Sequence, residues 1–347
     1  TQSLSQCIKI YITQKEIEVK QDRRSINTLR TDRNSLNLFS SYILENHGDM
    51  DISEISRKYI NLWMEARYKE GVSSTTIAVN MRTIKSFFSY FVKTERLEAN
   101  PFINVDIPKT KIRNSDNIKH NYSTVFDFIK ADLENRIAGK SKPRKKKKRK
   151  NNKKDDFEWF YDNNWFVHYV WIMLNTGMRS GEVSLLKWKQ GKKDFGDDHS
   201  RSYVYLSKEP EEFVIYFKRG MRKLRIFQPV LNSLQLIPRT KKDGTTKTFV
   251  FEREDSIKPH DTSTVGRLFK KLMKHLELDN EQSPHTLRHG YGSFLINNGG
   301  NVYEVSKILG HSSVEVTERI YAHSDSEDLS QGMSILYEKM GIDVNSK

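Results

Sequence analysis

Two arginines, two histidines, a lysine and a tyrosine in the second half of this 347-residue chain could together act on one phosphodiester. In order they are Arg179, Lys218, His285, Arg288, His311 and Tyr321. A phosphodiester is anionic, so attack on it needs its charge neutralised and a nucleophile held in line. Arginine suits the first task, because its planar fork grips two oxygens and keeps its charge. Arg179 and Arg288 would form such a clamp. Glu182, three residues after Arg179, can hold that guanidinium in place. Tyr321 is the candidate nucleophile. A phenol titrates near about pH 10, so attack at neutral pH needs a base or a cationic pocket.

Local contexts support the assignment. In Ser283-Pro284-His285-Thr286-Leu287-Arg288-His289-Gly290, serine is a strong N-cap and proline a preferred first helical residue. His285 and Arg288 then share one face of the first turn, where backbone N–H groups favour an anion. His285 can donate to a phosphate oxygen or shuttle the nucleophile's proton. His311 follows Gly310, which closes a helix over 302–309, and can donate a further hydrogen bond. Ser312 or Ser313 caps a last helix bearing Tyr321. Lys218 falls in a hairpin turn, Phe217-Lys218-Arg219-Gly220-Met221, where desolvation on binding would lower its pKa. Arg219, Arg222 and Lys223 compete with it. Taken singly, each residue has an ordinary explanation, such as a surface ion pair, a helix cap or a basic turn.

Thr176-Gly177-Met178-Arg179-Ser180-Gly181-Glu182, the segment from Ser283, Leu309-Gly310-His311 and Ile320-Tyr321-Ala322-His323 together resemble the tyrosine recombinase (phage integrase, Xer-like) family. The resemblance spans roughly residues 27–340, with specific motifs only in the second domain. It implies cleavage and rejoining of DNA strands through a covalent 3′-phosphotyrosyl intermediate, with integration or excision of a mobile element as the expected use. It implies that Lys218 is the general acid for the leaving 5′ oxygen. Such an ester preserves the bond's energy, so no metal or cofactor is expected. The sequence carries no Walker-type loop and no metal-ligand spacing. The implied partners are a double-stranded recombination site, further copies of the chain (dimer to tetramer in synapsis) and accessory DNA-bending proteins. His311 and Tyr321 lie ten apart, one more than the family spacing; a helix bulge or the loop at Ser312 and Ser313 would absorb the extra residue. A type IB topoisomerase-like relaxing enzyme and a non-catalytic DNA-binding regulator are the alternatives.

Composition sets outer bounds. Hydrophobic residues at 36% and aromatics at 11% suffice for packed cores. No apolar run approaches the ~18 residues of a membrane span, and no signal peptide opens the chain. Cys7 stands alone, which excludes an internal disulfide and fits a reducing compartment. A cytoplasmic, nucleoid-associated protein is expected, away from membranes. The net charge of +15 suggests a polyanionic partner, but residues 140–154 hold 11 Lys or Arg and no acid, leaving +4 for the rest. That run reads as a phosphate-neutralising tether, a nuclear-localisation pattern or a plain surface insertion.

The elements that must position the site read as mainly α with a small antiparallel sheet (α+β). Residues 1–105 form an all-α DNA-clamping domain, 106–117 a linker, and 118–347 the catalytic domain with the basic insertion 140–154. Helical stripes recur over 3–20, 27–46, 55–69 and from Ser73 or Ser74 onward. Leu29, Leu36, Phe39 and Ile43 make one apolar face, and Ile77, Met81, Ile84, Phe88 and Phe91 another. The opposite faces carry Arg30, Asn34, Arg82 and Lys85, suited to phosphate and base contacts. Arg219 and Arg222 are further DNA-contact candidates. The second domain is expected to hold helices over 122–138 and 159–175, strands over 203–206, 213–217 and 224–227, and helices from Val265 on. A terminal helix over 326–340 carries an apolar stripe, which in the family docks on a neighbouring protomer. No separate arm-binding domain is expected, although a first residue other than Met leaves the native start open.

Overall fold

The structure, a computed structural model, describes residues 2–21, 23–109, 115–140, 158–188, 204–206, 212–217, 220–278 and 282–311. The chain divides into two compact units, Thr1–Arg113 and Asn114–Lys347. Among the described residues no helix is long and apolar enough to cross a membrane.

The first unit is helical: α1 (Leu4–Lys20), α2 (Ile26–His47), a 3-10 turn (Ile52–Glu54), α3 (Arg57–Lys69) and α4 (Ser74–Lys93). Serine hydroxyls open three of these helices by accepting first-turn amides: Ser3 from Gln6, Ser25 from Thr28 and Ser73 from Thr76. Each such cap satisfies an amide that the helix leaves orphaned, worth about 1 kcal/mol. Leu36, Phe39, Ile43, Trp63, Ile77, Met81, Ile84, Phe88 and Phe91 fill the core, as the stripes require. Burying each large side chain contributes roughly 1.5–3 kcal/mol. Inside it, Ser35 of α2 donates to Asn80 of α4 at 3.0 Å, fixing how those two helices face each other. Arg30, Asn34, Arg82 and Lys85 point to solvent.

The second unit is built on α7 (Asn164–Thr176), whose residues from Phe166 onward are all buried. Its neighbours are α5 (Ser115–Ile137), α9 (Gln228–Gln235) and α11 (His285–Asn297). The expected single helix over 159–175 is interrupted. α6 (Glu158–Asp162) ends at Asn163, whose side-chain amide donates to the Trp159 carbonyl at 2.7 Å. That side-chain bond competes with the backbone ladder, as asparagine commonly does. α5 begins seven residues before the expected Tyr122, running back into the polar segment read as linker, where Ser115 and Asp116 suit a helix start. Short elements follow α7: α8 (Ser180–Ser184), β1 (Leu186–Lys187), β2 (Val204–Leu206), β3 (Glu212–Phe217) and β4 (Gly220–Arg225).

The sheet runs in the order β1-β2-β3-β4, antiparallel except for the parallel β1–β2 pair. The two-residue β1 is too short to be legible as a strand. β4 pairs from Phe217↔Gly220 to Glu212↔Arg225, four residues earlier than the strand expected at 224. Leu224, buried, and Lys223 and Arg225, exposed, carry the alternation of a half-buried strand. Three further helices, α10 (Thr262–His275), α11 and α12 (Val302–Leu309), follow among the described residues. The basic run beyond Lys140 and the segment 326–340, where a terminal helix is expected, lie outside the described residues.

Candidate active site

α7 ends at Gly177, whose φ of +60° is the left-handed conformation that closes helices. The turn brings Arg179 to the start of α8. There Glu182 folds back: one carboxylate oxygen accepts the Arg179 backbone N–H at 2.7 Å, and the other accepts Arg179 Nη1 at 3.1 Å. Glu182 thus orients the arginine, as its spacing suggested. Arg179 Nη2 donates to the Gly310 carbonyl at 3.1 Å, more than a hundred residues away. Its side chain remains 43% exposed.

Arg288 comes to the same place from the first turn of α11. Its Nη1 donates to the Gly177 carbonyl at 2.9 Å and its Nη2 to the Leu309 carbonyl. The two guanidiniums therefore bond adjacent carbonyls at the end of α12, immediately before His311. Their access differs: Arg288 is 1% exposed and works from inside the protein. Pro284 has helical φ and ψ, and the Ser283 carbonyl accepts the Thr286 amide at 2.8 Å. The N-cap of α11 is therefore Pro284, with no side-chain cap bond, one residue later than the serine-cap expectation places it.

His285 lies exposed on the α11 start, its ring 4.7 Å from that of His289 and edge-on to it. His311 follows the left-handed Gly310 and donates its amide to the Ser306 carbonyl at 3.0 Å. Both imidazoles are held down to about 4. Lost hydration leads in each case. For His285 the charges of His289, Arg288 and Arg179 add to it, and for His311 those of Arg288, Arg179, His289 and Arg222. At neutral pH both rings are neutral. A phosphate would oppose the arginine charge and raise both pKas, so binding takes up protons. Affinity for a 30-base-pair duplex at fixed ionic strength is therefore expected to rise as pH falls through each bound-state pKa toward the free value of about 4, where the gain totals about tenfold for each pKa unit gained. A His285→Gln/His311→Gln double variant should lose that part of the gain.

Arg222 requires a correction. Expected to face DNA from the hairpin, it is 8% exposed, and its Nη2 donates to Glu182 at 2.6 Å. The alternation of β4 turns it inward, toward the end of α12. Lys218, Arg219 and Tyr321 lie outside the described residues. Sequence reasoning missed two features. His289 sits beside His285 within the quoted motif. On α10, exposed Arg267, Lys270, Lys271 and Lys274 line a cleft of about 750 Å³ with Ser283 and Pro284. Their spacing, opposite buried Val265, Leu268, Phe269 and Leu272, is the helical signal that could have revealed them.

Among the described side chains the cluster sets three guanidiniums against one carboxylate, an arrangement suited to an anion with two formal charges to spare. A family model described as the phage integrase family matches residues 162–328, and one described as the phage integrase N-terminal SAM-like domain matches residues 17–95. Tyrosine recombinase XerC of Pediococcus pentosaceus is 23% identical over 302 residues, 85% of this chain and 87% of the relative. Tyrosine recombinase XerD of Listeria monocytogenes is 22% identical over 311 residues, covering 86% and 88%. The Tn1549 transposon integrase in complex with transposon right end DNA superposes with a TM-score of 0.61 at 18% identity, covering 98% of this chain and 100% of that one. A lambda integrase dimer bound to a COC' core site gives 0.60 at 16%, covering 92% and 95%, and a lambda integrase tetramer bound to a Holliday junction gives 0.59 at 14%, covering 94% and 79%.

Proposed function

Because the chain belongs to the phage integrase family of tyrosine recombinases, enzymes that break and rejoin DNA, we propose that Tyr321 cuts one strand by forming a 3′-phosphotyrosyl ester. The phenolic oxygen attacks phosphorus, the P–O5′ bond breaks, and Lys218 protonates the departing 5′ oxygen. Religation reverses the step with a new 5′-hydroxyl, so no external energy source enters. Arg179, the more open guanidinium, takes the non-bridging oxygens, and Arg288 adds positive potential from behind. His285 and His311, neutral before binding, donate to the phosphate or carry the phenol's proton.

One observation carries this reading. Arg179 and Arg288, from separate helices, bond the adjacent Gly310 and Leu309 carbonyls, so the chain leaves His311 toward Tyr321 from the centre of the positive cluster. Ten residues span about 15 Å as helix and up to roughly 35 Å extended, enough to return a phenol to that point. The test is covalent capture in chelator-containing buffer without nucleotide. Nicked duplexes tiled over DNA flanking the gene should yield a denaturation-resistant adduct at the 3′-phosphate end of the cut strand. No adduct on any duplex would overturn the proposal.

DNA contact is assigned to Arg30 and Asn34 of α2, Arg82 and Lys85 of α4, and Arg219. The α10 row adds Arg267, Lys270, Lys271 and Lys274 to them. Those four lie along one solvent-facing strip beside the helix start bearing His285, and cationic strips bind phosphates by releasing counterions. Replacing all four by glutamine should weaken duplex binding and lower the slope of log K against log salt by about 0.9 for each phosphate no longer neutralised. An unchanged slope would remove α10 from the interface. Assembly as dimers and tetramers on a recombination site, for integration or excision of a mobile element, is the fuller form of the proposal. The DNA-bound lambda integrase dimer and tetramer and the DNA-bound transposon integrase support it.

A further inference from the structure

We propose that Arg222 is a positioning residue for Arg179, acting through Glu182 and through the peptide at Gly310; the inference rests on the proposed reading of the site as a phosphate clamp. Arg222 stands on β4 opposite Ile215, with its side chain 7% exposed. Its Nη2 donates to Glu182 Oε2 at 2.6 Å. The same carboxylate takes the Arg179 backbone on Oε2 and Arg179 Nη1 on Oε1. One buried carboxylate is thus shared by two arginines. With Arg222 present, Glu182 is neutralised from inside, and the exposed charge of Arg179 stays available to an anion. Without it, Arg179 would be the carboxylate's only cationic partner among the described residues, and the clamp would lose a positive charge.

Arg222 also meets the second anchor of Arg179. Gly310 adopts φ +65°, and a Cβ built there would fall 2.0 Å from Arg222 Nη1. Glycine at 310 is what admits the guanidinium, and the Gly310 carbonyl receives Arg179 Nη2. Both groups that hold Arg179 therefore touch Arg222. A purely architectural role explains this poorly, since Arg222 Nε and Nη1 are buried with no hydrogen-bond partner among the described residues. Packing alone would be served as well by an apolar side chain, because a buried charge with unmet donors is costly. The charge at 222 is accounted for by what it does to Arg179.

The test compares wild type, Arg222→Met, Arg222→Lys and Arg179→Ala on the nicked duplex that traps the wild-type adduct. The cleavage rate at saturating DNA and the half-saturating DNA concentration are measured separately. Arg222→Met should lower the rate on the order of 10- to 100-fold, the range for residues that orient a primary ligand. Half-saturation should stay within about threefold. A second duplex, with a methylphosphonate at the scissile position, lacks one phosphate charge and so has less need of the clamp. On it the losses of Arg222→Met and Arg179→Ala should both shrink, and Arg222→Lys should recover part of the rate on the ordinary duplex.

Wild-type cleavage by Arg222→Met, or equal loss on both duplexes, would overturn the inference. If Arg222→Met does not fold, Arg222→Lys decides on the same two duplexes. A wild-type chain that traps no adduct sinks the functional reading, whereas a cleaving wild type beside an unaffected Arg222 variant sinks only this inference.

Discussion

Tyr321→Phe is expected to form no covalent adduct with any duplex that traps the wild-type chain, while its DNA affinity stays within about twofold. The change removes a single hydroxyl oxygen, which at neutral pH contributes no charge to DNA binding. It removes the atom that would bond to phosphorus, however, and loss of a nucleophile costs on the order of 10⁶ in rate in well-studied hydrolases. A fall of at least about 10⁴-fold should be seen by adduct capture. Surviving adduct in this variant would shift the nucleophile elsewhere. The other tyrosines near the site are poor substitutes, since Tyr291 is fully buried, with burial pushing its phenol well above the usual range, and Tyr303 sits on α12 upstream of His311.

The second large effect is a contrast between the two arginines. Arg179→Ala should lower adduct formation by about 10²- to 10³-fold, as loss of one charge-stabilising donor does, with little change in melting temperature. Its side chain is 43% exposed, and Glu182 retains Arg222 as a partner. Arg288→Ala should lose activity and stability together. It strips the Gly177 and Leu309 carbonyls of their donor and leaves a hole inside the protein. The cost is about 2–5 kcal/mol, from unmet carbonyls and an unfilled cavity. For a unit of this size that is a drop of very roughly 5–15 °C in Tm. Arg288→Lys should not restore either property, because one ammonium cannot reproduce a fork that bonds two carbonyls. Equal Tm values for the two alanine variants would contradict the burial described for Arg288.

Much of this is legible in the order of residues. The stripes of α2 and α4 fall where the 3.6-residue period places them, with Leu36 and Phe88 inside and Arg30 and Arg82 outside. Gly177 and Gly310 end their helices as glycine after an apolar run should. The strands around Val214 and the tie from Glu182 to Arg179 are likewise readable. Errors arise where local preferences compete. Asn163 interrupts a helix that hydrophobicity alone would continue, and Pro284 rather than Ser283 takes the cap position of α11.

Taken alone, the sequence determined the chemistry on offer: an arginine–glutamate pair, a histidine–arginine helix start, a glycine–histidine turn and a phenol beyond it. Those signals are local, carried by residues a few positions apart, so periodicity and capping rules reach them. Only the tertiary structure decided which of the arginines meet and how each is exposed. Arg179, Arg222 and Arg288 come from α8, β4 and α11, and their partners, the Leu309 and Gly310 carbonyls, are backbone atoms that side-chain identity does not specify. Burial turned Arg222 from a surface contact into a hidden partner of Glu182. That outcome depends on strand register and on the absence of a Cβ at 310, and both are properties of the packed chain.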